Sequence, residues 1–429
     1  MVGSQTTTMA IVKETHHIDH SWDFAGAKTK YYTHGIHPYP AMMIPQVAER
    51  LIKENGQKGL TAYDPFCGSG SVLLEFMVGG LYSYGTDINP LAIEISNAKT
   101  TILDPKVIEN YYGQIRNNVF HCFFDSDSKS ETKCFQSFQN IEYWFKPAVI
   151  RDLTILKEAV NKTPIKEYRN FFRVCFSETV RKCSNTRNGE FKLYRIAPDK
   201  MGKHNPLPLN VFHKIVSRNI EGMKSLFYLK DKKLPKCRIM ESNVTAKIPI
   251  EEKSIDLIVS SPPYGDSRTT AAYGQFSRLS LQWLDFDQEK SKKIDSSSMG
   301  GKPSYDKSPF NSNALESTIS SISRKDEKRA SDVLSFFNDF FKAGENISGI
   351  MKPISKICFV VGNRTVKGTT VPMDIILSDL FAEFNYKKTK TIIRHIPSKR
   401  MPRINSPSNI AGQVGNTMNE EHIIILDRK

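Results

Sequence analysis

The residue types best suited to chemistry lie directly after a short apolar run, Ile255–Val259, whose composition predicts a buried strand. The next residues that could act chemically are Ser261-Pro262-Pro263-Tyr264. Two prolines cannot join a strand ladder and fix a stiff turn. Such a turn holds the Ser261 hydroxyl and the Pro262 carbonyl as hydrogen-bond acceptors beside the flat ring of Tyr264. This set suits a planar base that carries an exocyclic amino group.

A second candidate set follows an earlier strand pattern. Gly59–Tyr63 leads into Asp64-Pro65-Phe66-Cys67-Gly68-Ser69-Gly70, and a helical pattern comes next. Gly68 and Gly70 would let the backbone approach a ligand closely, but the third glycine of the dinucleotide fingerprint is missing. A second predicted strand ends in Asp87, 17 residues beyond Gly70, where a carboxylate can hold both hydroxyls of a ribose. The spacing favours a cofactor that contains a nucleoside.

These two motifs carry a family resemblance. The Ser261–Tyr264 tetrapeptide resembles the catalytic motif of the S-adenosylmethionine-dependent DNA amino-methyltransferases, which act on cytosine N4 or adenine N6. The Asp64–Gly70 string is similar to the cofactor motif of that family, whose glycines accommodate the amino-acid end of the cofactor rather than a pyrophosphate. The resemblance therefore implies S-adenosyl-L-methionine as the cofactor and an exocyclic amine as the methyl acceptor.

The first residue of the catalytic motif bears on the target base. In the family, serine at this position usually accompanies cytosine N4, whereas aspartate or asparagine accompanies adenine N6. Ser261 thus implies a cytosine-N4-specific modification methylase. An adenine-N6 enzyme is the first alternative, and an RNA enzyme of the guanosine-N2 type, which also uses a Pro-Pro-Tyr turn, is the second. A non-catalytic nucleic-acid-binding protein is a third, which the intact motifs disfavour.

The resemblance also implies residues around the cofactor. A proline-rich segment before the glycine string would line the methionine end of the pocket, Ile88 would pack on the adenine, and Asn243 would bond the adenine amino group where relatives usually have aspartate. Asn89 fits a helix cap better than a ligand. The implied cofactor residues are Thr33, His34, Asp64, Phe66, Gly68, Gly70, Asp87, Ile88 and Asn243. We expect no metal site, because a few neighbouring histidines more often pack or cap.

Composition narrows the functional class. The 429 residues carry a formal net charge of +15, which favours a polyanionic partner. The seven cysteines form no Cys-x-x-Cys pair, so we expect reduced thiols and no structural zinc. Cytosine-C5 methylation uses a cysteine nucleophile that typically follows a proline, and the chain contains no Pro-Cys dipeptide. No apolar stretch approaches the roughly 18 residues that span a membrane, and no signal-peptide core is visible, so we expect a cytoplasmic protein.

Short apolar strands that alternate with helices predict an α/β fold with a doubly wound, mostly parallel sheet, as in class I methyltransferases, and a final antiparallel strand pair. We divide the chain into five parts: residues 24–104, the cofactor half; 105–234, a mainly helical insertion for target recognition; 235–284, the catalytic half; 285–331, a flexible Ser- and Lys-rich loop; and 332–429, the remaining core with a basic arm at 387–403.

The predicted partner is double-stranded DNA. Basic residues broken by Ser and Asn in the insertion, together with the basic arm, are typical of surfaces that hold phosphates and read base edges. The candidate DNA-binding residues are Arg181, Lys182, Arg187, Lys192, Arg195, Arg268, Lys399, Arg400 and Arg403. The resemblance further implies a role in a restriction–modification system, with a companion restriction endonuclease that acts separately.

Overall fold

A computed structural model describes residues 18–124, 137–187, 189–265, 271–303, 306–397, 404–405, 415–416 and 418–428. The strands are β1 Thr61–Asp64, β2 Tyr82–Asp87, β3 Cys237–Glu241, β4 Ile255–Ser260, β5 Met351–Val361, β6 Arg364–Val366, β7 Thr369–Val371, β8 Tyr386–His395, β9 Ile404–Asn405, β10 Gly415–Asn416 and β11 Glu420–Arg428. The short pairs β6–β7 and β9–β10 are antiparallel ribbons outside the main sheet.

The helices alternate with these strands in the core and cluster in the insertion. They are α1 Pro45–Asn55, α2 Ser71–Val78, α3 Pro90–Thr100, α4 Pro105–Phe124, α5 Ile141–Trp144, α6 Pro147–Asn161, α7 Lys166–Cys183, α8 Pro198–Met201, α9 Pro208–Phe227, α10 Tyr273–Trp283, α11 Gln288–Ser297, α12 Asn313–Ser323, α13 Glu327–Ile350 and α14 Met373–Ala382. None of the described helices is both long and apolar enough to cross a bilayer.

The main sheet has seven strands in the order β3-β2-β1-β4-β5-β11-β8. Strands β1 to β5 pair in parallel, and β11 runs antiparallel to both β5 and β8. This confirms the predicted doubly wound fold class, including its antiparallel final strands. The order in which successive strands join the sheet reverses between β1 and β4. Open α/β sheets form their ligand crevice at such a switch point, beyond the carboxyl ends of the strands.

The central strands are apolar on both faces because helices cover both sides of the sheet. In β4, Leu257 and Val259 pack with α1 and α2, whereas Ile258 points to the opposite face and packs with α13 and α14. All three side chains are at most 1% exposed. This alternation fixes the register of β4, so its last residue and the following turn project from the carboxyl edge.

The predicted insertion is helical, and it shares a core with the sheet domain instead of forming a separate unit. Buried residues of α4, α6, α7 and α9 belong to the same hydrophobic cluster as residues of α3 and α10. Trp283 of α10 is one example, with ring contacts to Phe145 and Phe176.

The prediction of a flexible loop over residues 285–331 is wrong for the part that the structure describes. Helices α11, α12 and the start of α13 fill most of it. Widely spaced apolar side chains order the segment despite its polar composition, and they include Ile294, Phe310, Leu315 and Ile322, each at most 5% exposed. Asp287 and Ser312 cap the first two helices by accepting backbone N–H bonds.

The described part of the predicted basic arm is mainly a strand of the main sheet. Residues 387–395 belong to strand β8 at the edge of the main sheet, and Arg394 is 3% exposed and inside the protein. A strand alternates its side chains between two environments, so a run of basic residues along it cannot all face DNA. The segment containing Lys399, Arg400 and Arg403 lies outside the described residues.

Candidate active site

A cleft of about 910 Å³ lies at the carboxyl ends of β1, β2 and β4. The residues that line it come from several segments of the chain. They are Tyr39 to Met43, Asp64 to Ser69, Ser71, Val72, Asp87 to Asn89, Ser242 to Val244, Ser261, Pro263, Tyr273, Ile294, Ser298 and Met299.

The loop between β1 and α2 forms one wall. Gly68 and Gly70 have φ angles of +49° and +76°, in the left-handed region that favours glycine. At Gly70 a Cβ atom would lie 3.0 Å from the Cβ of Ser96, so a side chain has neither the conformation nor the room. The Ser96 hydroxyl donates to the Gly68 carbonyl at 2.6 Å and fixes the loop to helix α3.

Asp87 closes this wall at the end of β2. Its carboxylate accepts bonds from the Gly68 N–H at 3.0 Å and from the Asn89 N–H at 2.8 Å. Burial raises the pKa of the Asp87 carboxyl to about 6, although these backbone bonds oppose the shift. Asn89 caps α3 by accepting the Leu91 N–H bond, as predicted.

The turn after β4 forms the facing wall. Ser261 and Pro263 line the cleft, and Pro262 is buried behind them. The Ser261 and Tyr264 hydroxyls lie 3.1 Å apart, and the Tyr264 hydroxyl donates to Glu421 at 3.1 Å. Burial raises the pKa of Tyr264 well above its usual value, and the neighbouring Glu421 adds to the shift, so the phenol keeps its proton.

A buried hydrogen bond joins the two walls. The Ser260 hydroxyl, directly before Ser261, donates to Asp64 at 2.6 Å, and the Phe66 N–H donates to the same carboxylate at 3.2 Å. Burial raises the pKa of Asp64 to about 7, while the Ser260 bond acts against that rise. Because β1 and β4 are neighbours, this contact holds the catalytic turn and the glycine loop at a fixed separation.

The segment after α10 covers a third side of the cleft. Ile294, Ser298 and Met299 line it, and the Asn243 amide donates to the Ser297 carbonyl at 3.4 Å. The segment predicted as a flexible loop is therefore part of the pocket wall, a role that its composition did not reveal.

The chain is 41% identical over 423 residues to the Type II methyltransferase M.MvaI of Kocuria varians, an alignment that covers 94% of this chain and 92% of that protein. A family model for N6/N4 DNA methylases matches residues 4–98. The chain belongs to the N6/N4 DNA methylase family. The Type II methyltransferase M.MjaII of Methanocaldococcus jannaschii is 39% identical over 84 residues, 18% of this chain and 16% of that protein.

Solved structures resemble this DNA methylase only distantly. The rRNA methyltransferase aviRa of Streptomyces viridochromogenes matches with a TM-score of 0.33 and 9% identity, over 92% of this chain and 89% of that one. TrmN of Thermus thermophilus matches with a TM-score of 0.30 and 8% identity, over 90% and 49% of the two chains. Scores this low decide nothing about the substrate.

Most of the predicted cofactor residues of the methylase surround the cleft. Those that line it are Asp64, Phe66, Gly68, Asp87, Ile88 and Asn243, with Gly70 directly behind. Asn243 departs from its expected role, because its carbonyl oxygen already accepts bonds from the Thr245 N–H at 3.0 Å and hydroxyl at 2.9 Å. That oxygen therefore has reduced capacity for an adenine amino group.

Thr33 and His34 do not line the cleft, contrary to prediction. The Thr33 hydroxyl donates to the Lys99 carbonyl at 2.6 Å, and His34 lies 2.6 Å from Glu75 in a buried cluster under the glycine loop. Burial lowers the pKa of His34 to about 2 and raises that of Glu75 to about 7. The same segment reaches the cleft only from Tyr39 onward, so the prediction was wrong by a few residues along the chain.

The predicted DNA-binding residues of the insertion divide into buried and exposed sets. Arg181 is 7% exposed, lies 4.2 Å above the Phe276 ring and donates to the Phe276 and Glu190 carbonyls, so it is a core residue and that prediction is wrong. Lys182 lies 2.9 Å from the buried Glu178. Arg187 and Arg195 are exposed, and Lys192 is partly exposed. Arg268, Lys399, Arg400 and Arg403 lie outside the described residues.

The described residues contain no group of three or more His, Cys, Asp or Glu side chains that could hold a metal ion. Sequence reasoning missed Ser260, Glu421 and Arg394. Ser260 carried a weak signal because it precedes the motif on the same strand, whereas nothing in the sequence links Glu421 to Tyr264.

Proposed function

We propose that this DNA methylase transfers a methyl group from S-adenosyl-L-methionine to the exocyclic N4 amine of a flipped cytosine at a specific site in duplex DNA. The observation that carries the proposal is the shared cleft, in which the Gly68 loop and the Ser261 turn form facing walls joined by the Ser260–Asp64 bond. One wall suits a nucleoside cofactor and the other suits a base amine.

The cleft residues fit the chemistry of this cofactor. The Asp87 carboxylate lies at the end of β2, where it can accept hydrogen bonds from both ribose hydroxyls. Phe66 and Ile88 supply apolar surface for an adenine ring, and the close-packed glycine loop leaves backbone groups beside the amino-acid end. When bound, the sulfonium supplies an electrophilic methyl group.

The catalytic turn would act on the other reactant. The lone pair of an exocyclic amine is delocalised into its base, so acceptors that bond its N–H groups return electron density to the nitrogen in the transition state. The Ser261 hydroxyl and the Pro262 carbonyl are the acceptors that we propose. Serine is too weak a base to deprotonate the amine first, and the methylated amine, which is cationic and strongly acidic, loses its proton afterwards.

The base must leave the duplex to reach this turn, at a cost of a few kcal/mol. Stacking on an aromatic ring can offset about 1–3 kcal/mol of that cost. Tyr264 is the candidate ring. Holding the amine and the methyl group in line then contributes several kcal/mol to catalysis.

We infer that the exposed part of the insertion contacts DNA. The guanidinium of Arg195 lies 4.2 Å above the Tyr143 ring, and that of Arg187 lies 5.9 Å above the Tyr194 ring. Both tyrosines are exposed, by 48% and 46%. Arginine held on aromatic rings combines phosphate binding with stacking. Lys182 and Lys192 flank this surface, and Arg268, Lys399, Arg400 and Arg403 are further candidates by sequence.

The test of the proposed reaction is the identity of the methylated nucleoside. The protein is incubated with methyl-labelled S-adenosylmethionine and either duplex DNA or tRNA, and the products are digested and analysed by mass spectrometry. We expect labelled N4-methylcytosine from DNA. Labelled N6-methyladenine would overturn the base assignment, and label only in tRNA would overturn the DNA assignment.

The DNA surface has a separate test with a matched control. Replacing Arg187 and Arg195 by Gln should reduce the slope of log affinity against log salt by about 1 for each phosphate that the protein no longer neutralises. Arg181→Gln should leave that slope unchanged and lower thermal stability, because Arg181 is buried. An unchanged slope in the double variant would show that Arg187 and Arg195 contact solvent and not DNA phosphates.

A transfer role of this type fits a type II restriction–modification system, in which a separate endonuclease cuts unmethylated sites. The similarity to M.MvaI supports this context. We propose that methylation protects the host sequence from such a companion enzyme.

A further inference from the structure

A series of polar contacts connects Tyr264 of the catalytic turn with strands β11 and β8 of the main sheet. Tyr264 donates to Oε1 of Glu421, and Oε2 of Glu421 pairs with Arg394. Arg394 is directly opposite Glu421 in the β8–β11 register and is 3% exposed. Its guanidinium also donates to the carbonyls of Trp22 at 2.8 Å and Asp23 at 3.2 Å. Hydrogen bonds with Tyr264, Trp22 and Asp23 therefore fix the orientation of the Glu421–Arg394 ion pair.

The position of Glu421 follows from the sheet topology. Ser260 at the end of β4 is opposite Phe359 of β5, and Val361 two residues later is opposite His422 of β11. Because β11 is antiparallel, it starts where β4 and β5 end. Glu421 is thus brought beside Tyr264 by strand pairing. The chain packs closely at Gly362, where a Cβ atom would overlap the sulfur of Met418 and lie 3.0 Å from a Tyr264 ring carbon.

The direction of these hydrogen bonds determines whether the Ser261 hydroxyl presents a donor or an acceptor to the target base. A carboxylate only accepts, so the proton between Tyr264 and Glu421 must come from the Tyr264 hydroxyl. The Tyr264 oxygen is then an acceptor toward Ser261, 3.1 Å away, and the Ser261 proton points to it. Within the described residues no other group is seen to bond the Ser261 oxygen, so both of its lone pairs are available as acceptors. An amine N–H is a donor, and it needs such an acceptor.

We propose that Glu421, held by Arg394, is a positioning residue that orients the Tyr264 and Ser261 hydroxyls so that Ser261 presents only an acceptor to the target amine. The inference rests on the proposed function. It assigns selectivity for an amino group over a carbonyl to a residue on the last strand, outside the catalytic motif. A turn with the reverse proton order would offer a donor and would suit a keto oxygen.

The test combines single and double variants. Glu421→Gln keeps the shape of the side chain but can also donate, so the proton order is no longer fixed. Tyr264→Phe keeps the ring and removes the relay without touching Arg394. We expect each to lower kcat at least tenfold, with the cofactor Kd from calorimetry and the KM for DNA within about threefold of wild type.

Double variants distinguish an orienting role of Glu421 from a purely structural one, because the effects on kcat of residues that act through one another do not add. If Glu421 acts through Ser261, Glu421→Gln should reduce kcat by less than about twofold in a Ser261→Ala background. It should likewise have little effect in a Tyr264→Phe background. Glu420→Gln, the neighbouring glutamate on β11, is the matched control and should match wild type in turnover and melting temperature.

Three results would overturn the inference. The first is wild-type turnover in Glu421→Gln, and the second is a double variant in which the two fold-reductions in kcat multiply fully. The third is a loss of kcat in the two single variants that parallels a fall in their melting temperatures. The nucleoside that the wild-type protein methylates is determined first, so failure of the proposed function can be distinguished from failure of the proposed role of Glu421. N6-methyladenine would reject the cytosine assignment and keep this inference, because adenine N6 is also an amine. Absence of any amine methylation would reject both.

Discussion

The two facing walls of the cleft are assembled in different ways. The glycine loop is held by partners close in sequence, since Asp87 lies 19 residues from Gly68 and Ser96 lies 28 residues from it. The catalytic turn is held by distant partners, since Glu421 lies 157 residues from Tyr264 and Arg394 binds Trp22 across 372 residues. The cofactor wall is held within the continuous stretch from β1 to α3, whereas the base wall depends on β4 and on the late strands β8 and β11.

This difference implies that substitutions can change cofactor binding and turnover separately. Changes in the glycine loop or Asp87 should affect stability and cofactor affinity, whereas changes in the turn should affect turnover. The hydrogen bond between Ser260 and Asp64 links the two walls directly, because Ser260 adjoins Ser261 in the chain. Variants in each wall test whether the two sets of effects can be separated.

The largest expected effect is at Gly70. Gly70→Ala places a side chain in left-handed backbone 3.0 Å from Ser96, so we expect a loss of about 2–4 kcal/mol in the free energy of unfolding and weaker cofactor binding. Gly113→Ala is the control, because nothing lies within 4 Å of its Cβ position in helix α4. It should stabilise the protein by up to about 1 kcal/mol. Denaturant unfolding measures both, and equal effects would contradict the account.

Substitution of Asp87 should change cofactor affinity more than turnover. Asp87→Ala removes a charged acceptor worth about 1.5–3 kcal/mol, so we expect the cofactor Kd to rise roughly 10- to 100-fold. Calorimetry with S-adenosylmethionine measures this directly. Turnover at saturating cofactor should fall much less than affinity does. An unchanged Kd would remove Asp87 from the cofactor site.

Ser261 and Tyr264 should show the opposite pattern. Ser261→Ala or Tyr264→Ala should lower kcat at least tenfold, about 1.4 kcal/mol, because each removes part of the grip on the target base. The cofactor Kd should stay within about twofold of wild type. Wild-type turnover in both variants would contradict the site assignment.

The smallest effect is a pH dependence of cofactor affinity. Burial raises the pKa of Asp87 to about 6, so the carboxylate that accepts the ribose hydroxyls is ionised above that pH and protonated below it. Affinity should therefore be constant well above pH 6 and fall by up to about tenfold per pH unit below it. Asp87→Asn should abolish this dependence. A dependence that persists in Asp87→Asn would assign it to Asp64, whose pKa is raised to about 7.

The same contrast explains what could be predicted from sequence. Gly68, Gly70 and Asp87 were identifiable because a strand–helix–strand unit fixes their spacing locally. The doubly wound fold class followed from the alternation of strands and helices. Glu421 and Arg394 were not identifiable, because strand pairing brings them to the turn and no local pattern records it. Arg394 was counted with a basic arm because sequence alone does not show which way an edge-strand side chain points.

Two further errors have physical causes, and a closer pattern analysis could detect the first of them. Arg181 follows the buried Val174 and Glu178 at helical spacing, so its position on the inner face of α7 was visible in the periodicity. The Ser- and Lys-rich segment looked unable to fold because its apolar residues are far apart. Ile294 and Ile322 nevertheless each pack into a larger existing core, which local composition cannot show.

The central claim is that one cleft brings a methyl donor and an extruded base amine together. A crystal structure with S-adenosylhomocysteine and a duplex carrying the target site tests it most directly. We predict the ribose on Asp87, the sulfur facing the Ser261 turn, and the cytosine N4 about 3 Å from the Ser261 oxygen. A cofactor product bound elsewhere, or a base that stays stacked with no amine at Ser261, would contradict the account.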